Sequence, residues 1–159
     1  MRRGPERNRR GNSIIEVTLM MPWIFFLFVG VFDFGFYSYA AITAQNAARV
    51  AAMAGALGSG APDPTATCNL VVAEMNSLPD TQTYVPGTYV CLYDTPPTNT
   101  QRIAINTPTT EVESDGSTAV VITVMFRPMA MIPIPGMFNG PVTIYRTAKA
   151  PVLNSAPAG

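Results

Sequence analysis

The sequence contains no histidine, and its 159 residues include only two cysteines. Without histidine the chain lacks the commonest general base, the commonest metal ligand and every Ser-His or Cys-His nucleophile pair. Its sequence also shows no metal-ligand cluster, no glycine-rich phosphate loop and no paired carboxylates at a catalytic spacing. We therefore expect a protein that is not an enzyme and that uses no metal and no cofactor.

Charged residues are also scarce, at 13% of the chain, and they are unevenly distributed. Residues 1–11 carry five arginines and one glutamate, a net charge of +4, whereas the remaining five basic and nine acidic residues give −4. The negative charge of the main domain argues against nucleic acid as a partner. Arginines that abut an apolar run are typical of a segment retained on the cytoplasmic side of a membrane; a nucleic-acid-binding arm is the alternative.

The apolar run after the arginines predicts a membrane-spanning helix. No charged residue occurs from Val17 to Phe32. A helix over residues 14–42 would measure about 43 Å, which exceeds the roughly 30 Å of bilayer hydrocarbon. A secretory signal has a shorter apolar core, so we expect an anchor, with cleavage after Tyr39 as the alternative. Pro22 removes one helical hydrogen bond and is expected to bend the helix near the inner leaflet.

The helix is expected to continue beyond the membrane. Nine of the nineteen residues from 40 to 58 are alanine, the best helix former, and a stop is expected at Gly58 or Gly60. Small residues at spacings of three and four form a smooth stripe on this helix, namely Ala40, Ala44, Ala47, Ala51, Ala54 and Gly58. The stripe suits packing against the protein's own domain and packing against another subunit equally well.

Two carboxylates lie at the edges of the apolar run, where an unpaired charge costs roughly 2.5–3.5 kcal/mol in hydrocarbon. Glu16 lies at its start and Asp33 near its outer end. Arg49 of the same helix is sixteen residues from Asp33, about 24 Å, and too far to pair with it. We therefore expect Asp33 to reach the headgroup region or to pair with a cation, such as Arg49, of a neighbouring subunit.

Thirteen of the fifteen prolines lie in residues 59–159, so short elements are expected there. A helix is predicted at residues 68–78, bounded by Pro64 and Pro79. Strands are predicted at residues 83–93, 102–106, 117–126 and 142–149. A hairpin turn at Asp115-Gly116 places residues 111–114 beside the third of these strands. The fold class is α+β, with a long N-terminal helix packed on a small antiparallel sheet of three or four strands.

Three local features of this region have alternative interpretations. Cys68 and Cys91 are expected to form a disulfide worth roughly 3 kcal/mol if the region is exported, and two buried thiols are the alternative. The acidic group of Glu111, Glu113 and Asp115 is expected to be a solvated turn rather than a calcium site. The apolar loop MAMIPIPGMF, residues 129–138, either fills the domain's own core or contacts lipid or a partner.

The junction RRGNSIIEV, residues 9–17, resembles the processing site of type IV prepilins and pseudopilins. Its features are a basic leader that ends in glycine, an apolar helix that begins at once, and a glutamate five residues beyond the glycine. Further stretches resemble the TadE-like minor pilins of tight-adherence pili, and a TadF-like member is the alternative. These are Pro22 after EVTLMM, FDFG (32–35), AARVAAMAG (47–55), ITVMFRPMAMIPIPG (122–136) and VTIYRTAKAP (142–151).

The resemblance implies a division of the chain and a set of partners. Residues 1–11 would be the leader, residues 12–58 the long helix, with its membrane part at about 14–42, and residues 59–159 an extracytoplasmic α+β domain. A prepilin peptidase would cut between Gly11 and Asn12. The chain would lie in the bacterial inner membrane with a cytoplasmic N-terminus, and other pilins and pilus assembly proteins would be its partners.

The implied function is assembly of a tight-adherence type IV pilus, which serves adhesion and biofilm formation. Cleavage creates an amine at Asn12, and Glu16 would offset that charge in a low-dielectric helix bundle. The residues expected to pack the helix are Pro22, Asp33, Ala44, Ala47 and Ala51. The alternatives are a pseudopilin of a type II-like secretion apparatus whose domain contacts cargo and, less in keeping with the composition, a membrane-anchored envelope enzyme.

Overall fold

The structure, a computed structural model, describes residues 10–58, 62–79, 81, 89–129 and 142–152, with the backbone alone for residues 10–13. The elements are α1 Arg10–Ala56, α2 Pro64–Met75, β1 Leu92–Tyr93, β2 Ile103–Ile105, β3 Thr109–Val112, β4 Thr118–Phe126 and β5 Ile144–Pro151. The chain divides into two compact units, Met1–Phe36 and Tyr37–Gly159. The predicted α+β class, with a long N-terminal helix and a small sheet, is confirmed.

Helix α1 has 47 residues and continues through Pro22. From Ile14 it is long and apolar enough to cross a membrane, with a mean hydropathy of 2.2 over its most apolar window. It begins two residues before the start of the predicted helix, residues 12–58, and ends two residues before the predicted end, at Ala56. Beyond this point the amides of Leu57 and Gly58 bond to carbonyls three residues back, a tighter turn that ends the helix. The predicted bend at Pro22 stays a prediction.

Helix α2 begins and ends earlier than the predicted 68–78. The side chain of Asp63 caps it, because Oδ1 accepts a hydrogen bond from the amide of Thr65 at 3.0 Å. Pro64 occupies the first turn, where its missing N–H leaves no bond unmade. The prediction was wrong here because it treated this proline as the boundary before the helix rather than as its first residue.

The disulfide predicted between Cys68 and Cys91 is present. Cys68 lies on the buried face of α2, Cys91 directly precedes β1, and their Cα atoms are 6.3 Å apart. This separation lies within the usual range for disulfides. The bridge therefore fastens α2 to the edge of the sheet that β1 forms.

The sheet is built around β4, which pairs antiparallel with β2, β3 and β5. The partners β3 and β2 follow one another along one edge of β4, and β5 occupies the other edge. The predicted hairpin is confirmed, since Gly116 has a φ of +82° in the turn between β3 and β4. One detail differs from the antiparallel prediction, because β1 pairs with β2 in parallel and makes the five-stranded sheet mixed.

The core of the second unit lies between the sheet and one face of α1. This alanine face of α1 consists of Ala40, Ala44, Ala47, Ala48, Ala51, Ala52 and Ala56, all at most 5% exposed. It joins one buried cluster with the inner side chains of β4, Val120, Ile122, Val124 and Phe126. The stripe predicted from the sequence thus serves intramolecular packing, except at its exposed members Ala54 and Gly58.

Gly55 is a position at which α1 approaches its neighbours closely. A Cβ atom at Gly55 would lie 2.8 Å from Cγ of Pro62 and 3.2 Å from Cγ1 of Val120. A proline ring on one side and a fully buried valine on the other leave little room to shift. Glycine is therefore required here by space.

We predict that Gly55→Ala destabilises the folded chain. Overpacking costs about 1–3 kcal/mol, which outweighs the roughly 0.5–1 kcal/mol that alanine adds through helix propensity. The matched control is Gly58→Ala, because a Cβ at Gly58 meets nothing closer than 3.5 Å. Urea unfolding of the detergent-solubilised chain, followed by near-ultraviolet circular dichroism, should give a lower midpoint for the first variant only. Equal midpoints for the two variants would contradict the steric argument.

Candidate functional site

The predicted cleavage site lies in the first turn of α1, which begins at Arg10. The first four amides of a helix have no acceptor within it, so this turn is the least costly part of α1 to unwind. A peptidase that needs an extended strand at Gly11 and Asn12 can therefore obtain one at low energetic cost. Residues 1–9 of the leader lie outside the described residues.

Glu16 lies one turn beyond Asn12, at a spacing of four, and its side chain is exposed. Residues at this spacing lie on the same face of a helix with their Cβ atoms about 5–6 Å apart. The carboxylate of Glu16 is thus within reach of an amine created at residue 12. The position of both residues on one continuous helix agrees with the predicted pairing, which stays a prediction.

The part of α1 up to Phe36, which is apolar enough to cross a membrane, presents large apolar side chains around nearly its whole circumference. Trp23 and Phe34, for example, are 77% and 75% exposed. Up to Phe36 the exceptions are Val29, which is buried, and Asp33 and Phe36, which are half-buried. The spacings of four and three place these residues on the same face of the helix. Within the described residues, Oδ1 of Asp33 is buried and has no hydrogen-bond partner. The prediction of a partner outside the chain therefore remains open.

The side of α1 opposite the alanine face is exposed in the second unit. Its large apolar members, which we call the exposed α1 face, are Tyr39, Ile42, Val50, Met53 and Leu57. They recur at spacings of three, four and eight, so they lie along one side of the helix, with the exposed Asn46 in the widest gap. The alanines were predicted to be the packing residues, and these larger apolar residues on the other side of the helix were not predicted.

A shallow groove lies beside the end of this stripe, between α1 and α2. It has a volume of about 220 Å³ and its wall is formed mainly by small side chains, including Ala51, Ala54, Gly55, Pro62 and Ala66. Leu57 and Leu70 are exposed close by, at 71% and 38%. The groove therefore extends the apolar surface from α1 onto α2.

The acidic turn is engaged by groups of the protein itself. Nζ of Lys149 lies 2.6 Å from Glu111 and 3.5 Å from Glu113. Asp115 accepts hydrogen bonds from the hydroxyl and the amide of Ser117, which lower its pKa. In the part of the chain that the structure describes, no three acidic, histidine or cysteine side chains form a group that could hold a metal ion. The arrangement is that of a solvated turn.

Asp94 joins the end of β1 to the segment that follows β2. It has a φ of +52°, a conformation that aspartate tolerates better than most residues. Its carboxylate accepts hydrogen bonds from the hydroxyl and from the amide of Thr107, the latter at 2.9 Å, and these bonds lower its pKa. The role of Asp94 could not be predicted from the sequence, because no local pattern shows that Thr107 will lie opposite it.

We predict that Asp94 makes stability depend on pH in the acid range. Its folded pKa lies below the ordinary value of 3.8, so its contribution is complete above about pH 4 and is lost as the pH falls through the folded pKa. Asp94→Asn keeps the positive φ and one acceptor oxygen but does not titrate. The difference in urea midpoint between wild type and this variant should shrink as the pH is lowered below 4. A difference independent of pH would contradict this role; Asp115 is present in both proteins and cancels.

Comparison with known proteins identifies the family of the long helix. Residues 11–53 match the family model described as TadE-like protein. The match begins at the glycine of the predicted cut and covers Glu16, the predicted membrane segment and most of the alanine face. This confirms the resemblance inferred from the sequence for residues 11–53. The match supports, in general terms, a pilin-like role associated with tight-adherence pili.

No curated protein and no solved structure gives a significant match to the chain. The family therefore rests on α1, and the sheet with α2 lies beyond the matched residues. Inferences about the function of that region therefore rest on the physical properties of its surface.

Proposed function

We propose that this protein is a TadE-like minor pilin that a prepilin peptidase processes and that then takes part in assembling a tight-adherence type IV pilus. The observation that carries the proposal is the TadE-like match, which begins at Gly11 and ends at Met53 of α1. The protein is anchored in the bacterial inner membrane by α1, with the leader in the cytoplasm and the sheet outside it. Its role is structural rather than enzymatic.

Processing is the first step of the proposed role. The peptidase cuts between Gly11 and Asn12, in the turn of α1 that lacks intrahelical acceptors for its amides. The new amine at Asn12 carries a positive charge at neutral pH. Glu16, four residues away on the same face, offsets this charge when both groups enter a bundle of low dielectric constant.

Packing against other pilins is the second step. The exposed α1 face has apolar side chains between 39% and 71% exposed, a surface that gains free energy when it is removed from water, at about 25 cal/mol per Å². The alanine face already binds the protein's own sheet, so subunits approach α1 from the other side. Half-buried Asp33, whose Oδ1 lacks a partner among the described residues, meets a cation of a neighbouring subunit.

Mass spectrometry of the protein from cells with an active prepilin peptidase tests the processing step. We expect the mature chain to begin at Asn12. Gly11→Trp should block the cut and leave all eleven leader residues in place, because a bulky side chain keeps the peptidase from approaching the backbone. Gly4→Trp is the matched control and should be processed normally. A native chain that still begins at Met1 would refute the proposal.

A second experiment tests the pairing of Glu16. Glu16→Gln removes the charge but keeps the size, so leader removal should stay largely intact while incorporation into pili falls. Glu16→Asp retains the charge and should restore part of the incorporation. The measurement is the ratio of this protein in sheared pili to that in membranes, by immunoblot. Normal incorporation of the Gln variant would count against the pairing.

A further inference from the structure

The exposed α1 face has the spacing of a seam between two packed helices. With Asn46 included, its residues follow one another in steps of three, four, four, three and four: Tyr39, Ile42, Asn46, Val50, Met53 and Leu57. Side chains at steps of three and four meet those of a facing helix along such a seam. All of them lie in the second unit, on the side of α1 away from the sheet. The face therefore suits another helix.

Asn46 is the polar residue in the middle of this face, and its side chain is exposed. A single asparagine in a helix seam sets the register, because its amide needs a polar partner once the seam excludes water. If the second helix is the same helix at the same level, the two Asn46 side chains meet and hydrogen-bond to each other. At other levels each amide would face apolar side chains. The asparagine thus favours a second copy in register.

One flank of this face is positively charged. Arg49 is the only charged residue in the sequence from 37 to 58, and it is exposed. It lies about 60° around the helix from the middle of the exposed α1 face. Gln45, one turn earlier on the same side, donates a hydrogen bond to the carbonyl of Thr147. The flank that carries Arg49 therefore borders β5.

Helix α2 borders the other flank, which is negatively charged. The groove between the helices is lined by Ala51 of α1 and Leu70 of α2. Glu74 lies one turn beyond Leu70 on the same side of α2 and is exposed. Since the connection at residues 57–63 turns the chain back, Glu74 lies about 6 Å beyond Leu70 and Arg49 about 3 Å before Ala51, at similar levels. The ion pairs shown among the described residues involve neither Arg49 nor Glu74.

Symmetry decides which flanks meet when two copies pair through this face. With a two-fold axis parallel to the helices, Arg49 of each copy faces α2 of the other, and residues of equal number lie at the same level. With the axis across the helices, the pair is antiparallel, and Arg49 faces Arg49 while α2 faces α2. The parallel pair therefore brings opposite charges together twice, and the antiparallel pair brings like charges together.

We propose that a second copy of this chain packs on the exposed α1 face as a parallel two-fold pair. The two Asn46 side chains are then in contact, and Arg49 of each copy lies beside Glu74 of the other. The apolar face supplies most of the affinity, and the charged flanks select the orientation. The proposal rests on the proposed function in that a subunit covers this face, and it names that subunit. It assigns Arg49 to Glu74 rather than to Asp33 of a neighbour.

Cysteine crosslinking of the full chain in its membrane tests the arrangement. The native cysteines are bonded to each other, so Ile42→Cys and Met53→Cys each add one free thiol. In a parallel pair each thiol lies beside its counterpart, and both variants should give a disulfide-linked dimer on mild oxidation. An antiparallel pair can join only one of them, because they lie about 16 Å apart along the helix. Thr109→Cys, exposed on β3, is the control and should stay monomeric.

Charge reversal tests the flanks. Arg49→Glu and Glu74→Arg, introduced separately into the Met53→Cys variant, should each lower the yield of dimer several-fold. The two changes together should restore it, because they exchange the charges and keep the pairing. Both residues are exposed, and an intact Cys68–Cys91 disulfide in each variant checks that the unit still folds.

The absence of a dimer at both positions, or a dimer at only one of them, would overturn the proposal. A double charge variant that crosslinks no better than the single ones would overturn it as well. Crosslinks to a different polypeptide, with none to a second copy, would also overturn it but would leave the proposed function standing. A chain that still begins at Met1 in cells with an active peptidase and yet gives both crosslinks would refute the processing step alone.

Discussion

The contact between the alanine face of α1 and the inner side of β4 is the constraint on which the second unit depends. A helix can approach a sheet closely only where its side chains are small, and here seven alanines and Gly55 provide that face. Large side chains on β4, such as Phe126 and Ile122, then fill the core. Because the side chains of β4 fill the core, a methyl group added to the facing side of α1 would find no space.

The same contact decides which part of α1 remains available to other molecules. The helix has two parts: up to Phe36 it exposes large apolar side chains around most of its circumference, and from Tyr37 onward it has one buried and one exposed face. In the second part, the alanines face inward and the larger apolar side chains face outward, the reverse of the usual arrangement for a helix on a sheet. Such an arrangement leaves the larger apolar surface of this part of the helix exposed.

Much of this architecture follows from local patterns in the sequence. The length of α1, the hairpin at Asp115-Gly116 and the strands β2, β4 and β5 were predictable because apolar periodicity and turn residues act over a few residues. The start of α2 was missed, since proline both precedes helices and opens them. The parallel pairing of β1 could not be predicted, because it depends on contacts between residues about twelve apart in a proline-rich stretch.

The predicted strand 83–93 appears only as Leu92–Tyr93 in the part of the chain that the structure describes. Residues 82–88 and 130–141, with most of the apolar loop, lie outside the described residues.

The disulfide between Cys68 and Cys91 makes the stability of the second unit depend on the redox conditions around it. A disulfide restricts the conformations of the unfolded chain, and reducing conditions remove this restriction. Without the disulfide, α2 has no covalent link to the sheet edge, and the unit is expected to sample open states more often. Proteases act on open states, so oxidation of the two thiols is expected to make this unit more resistant to proteolysis.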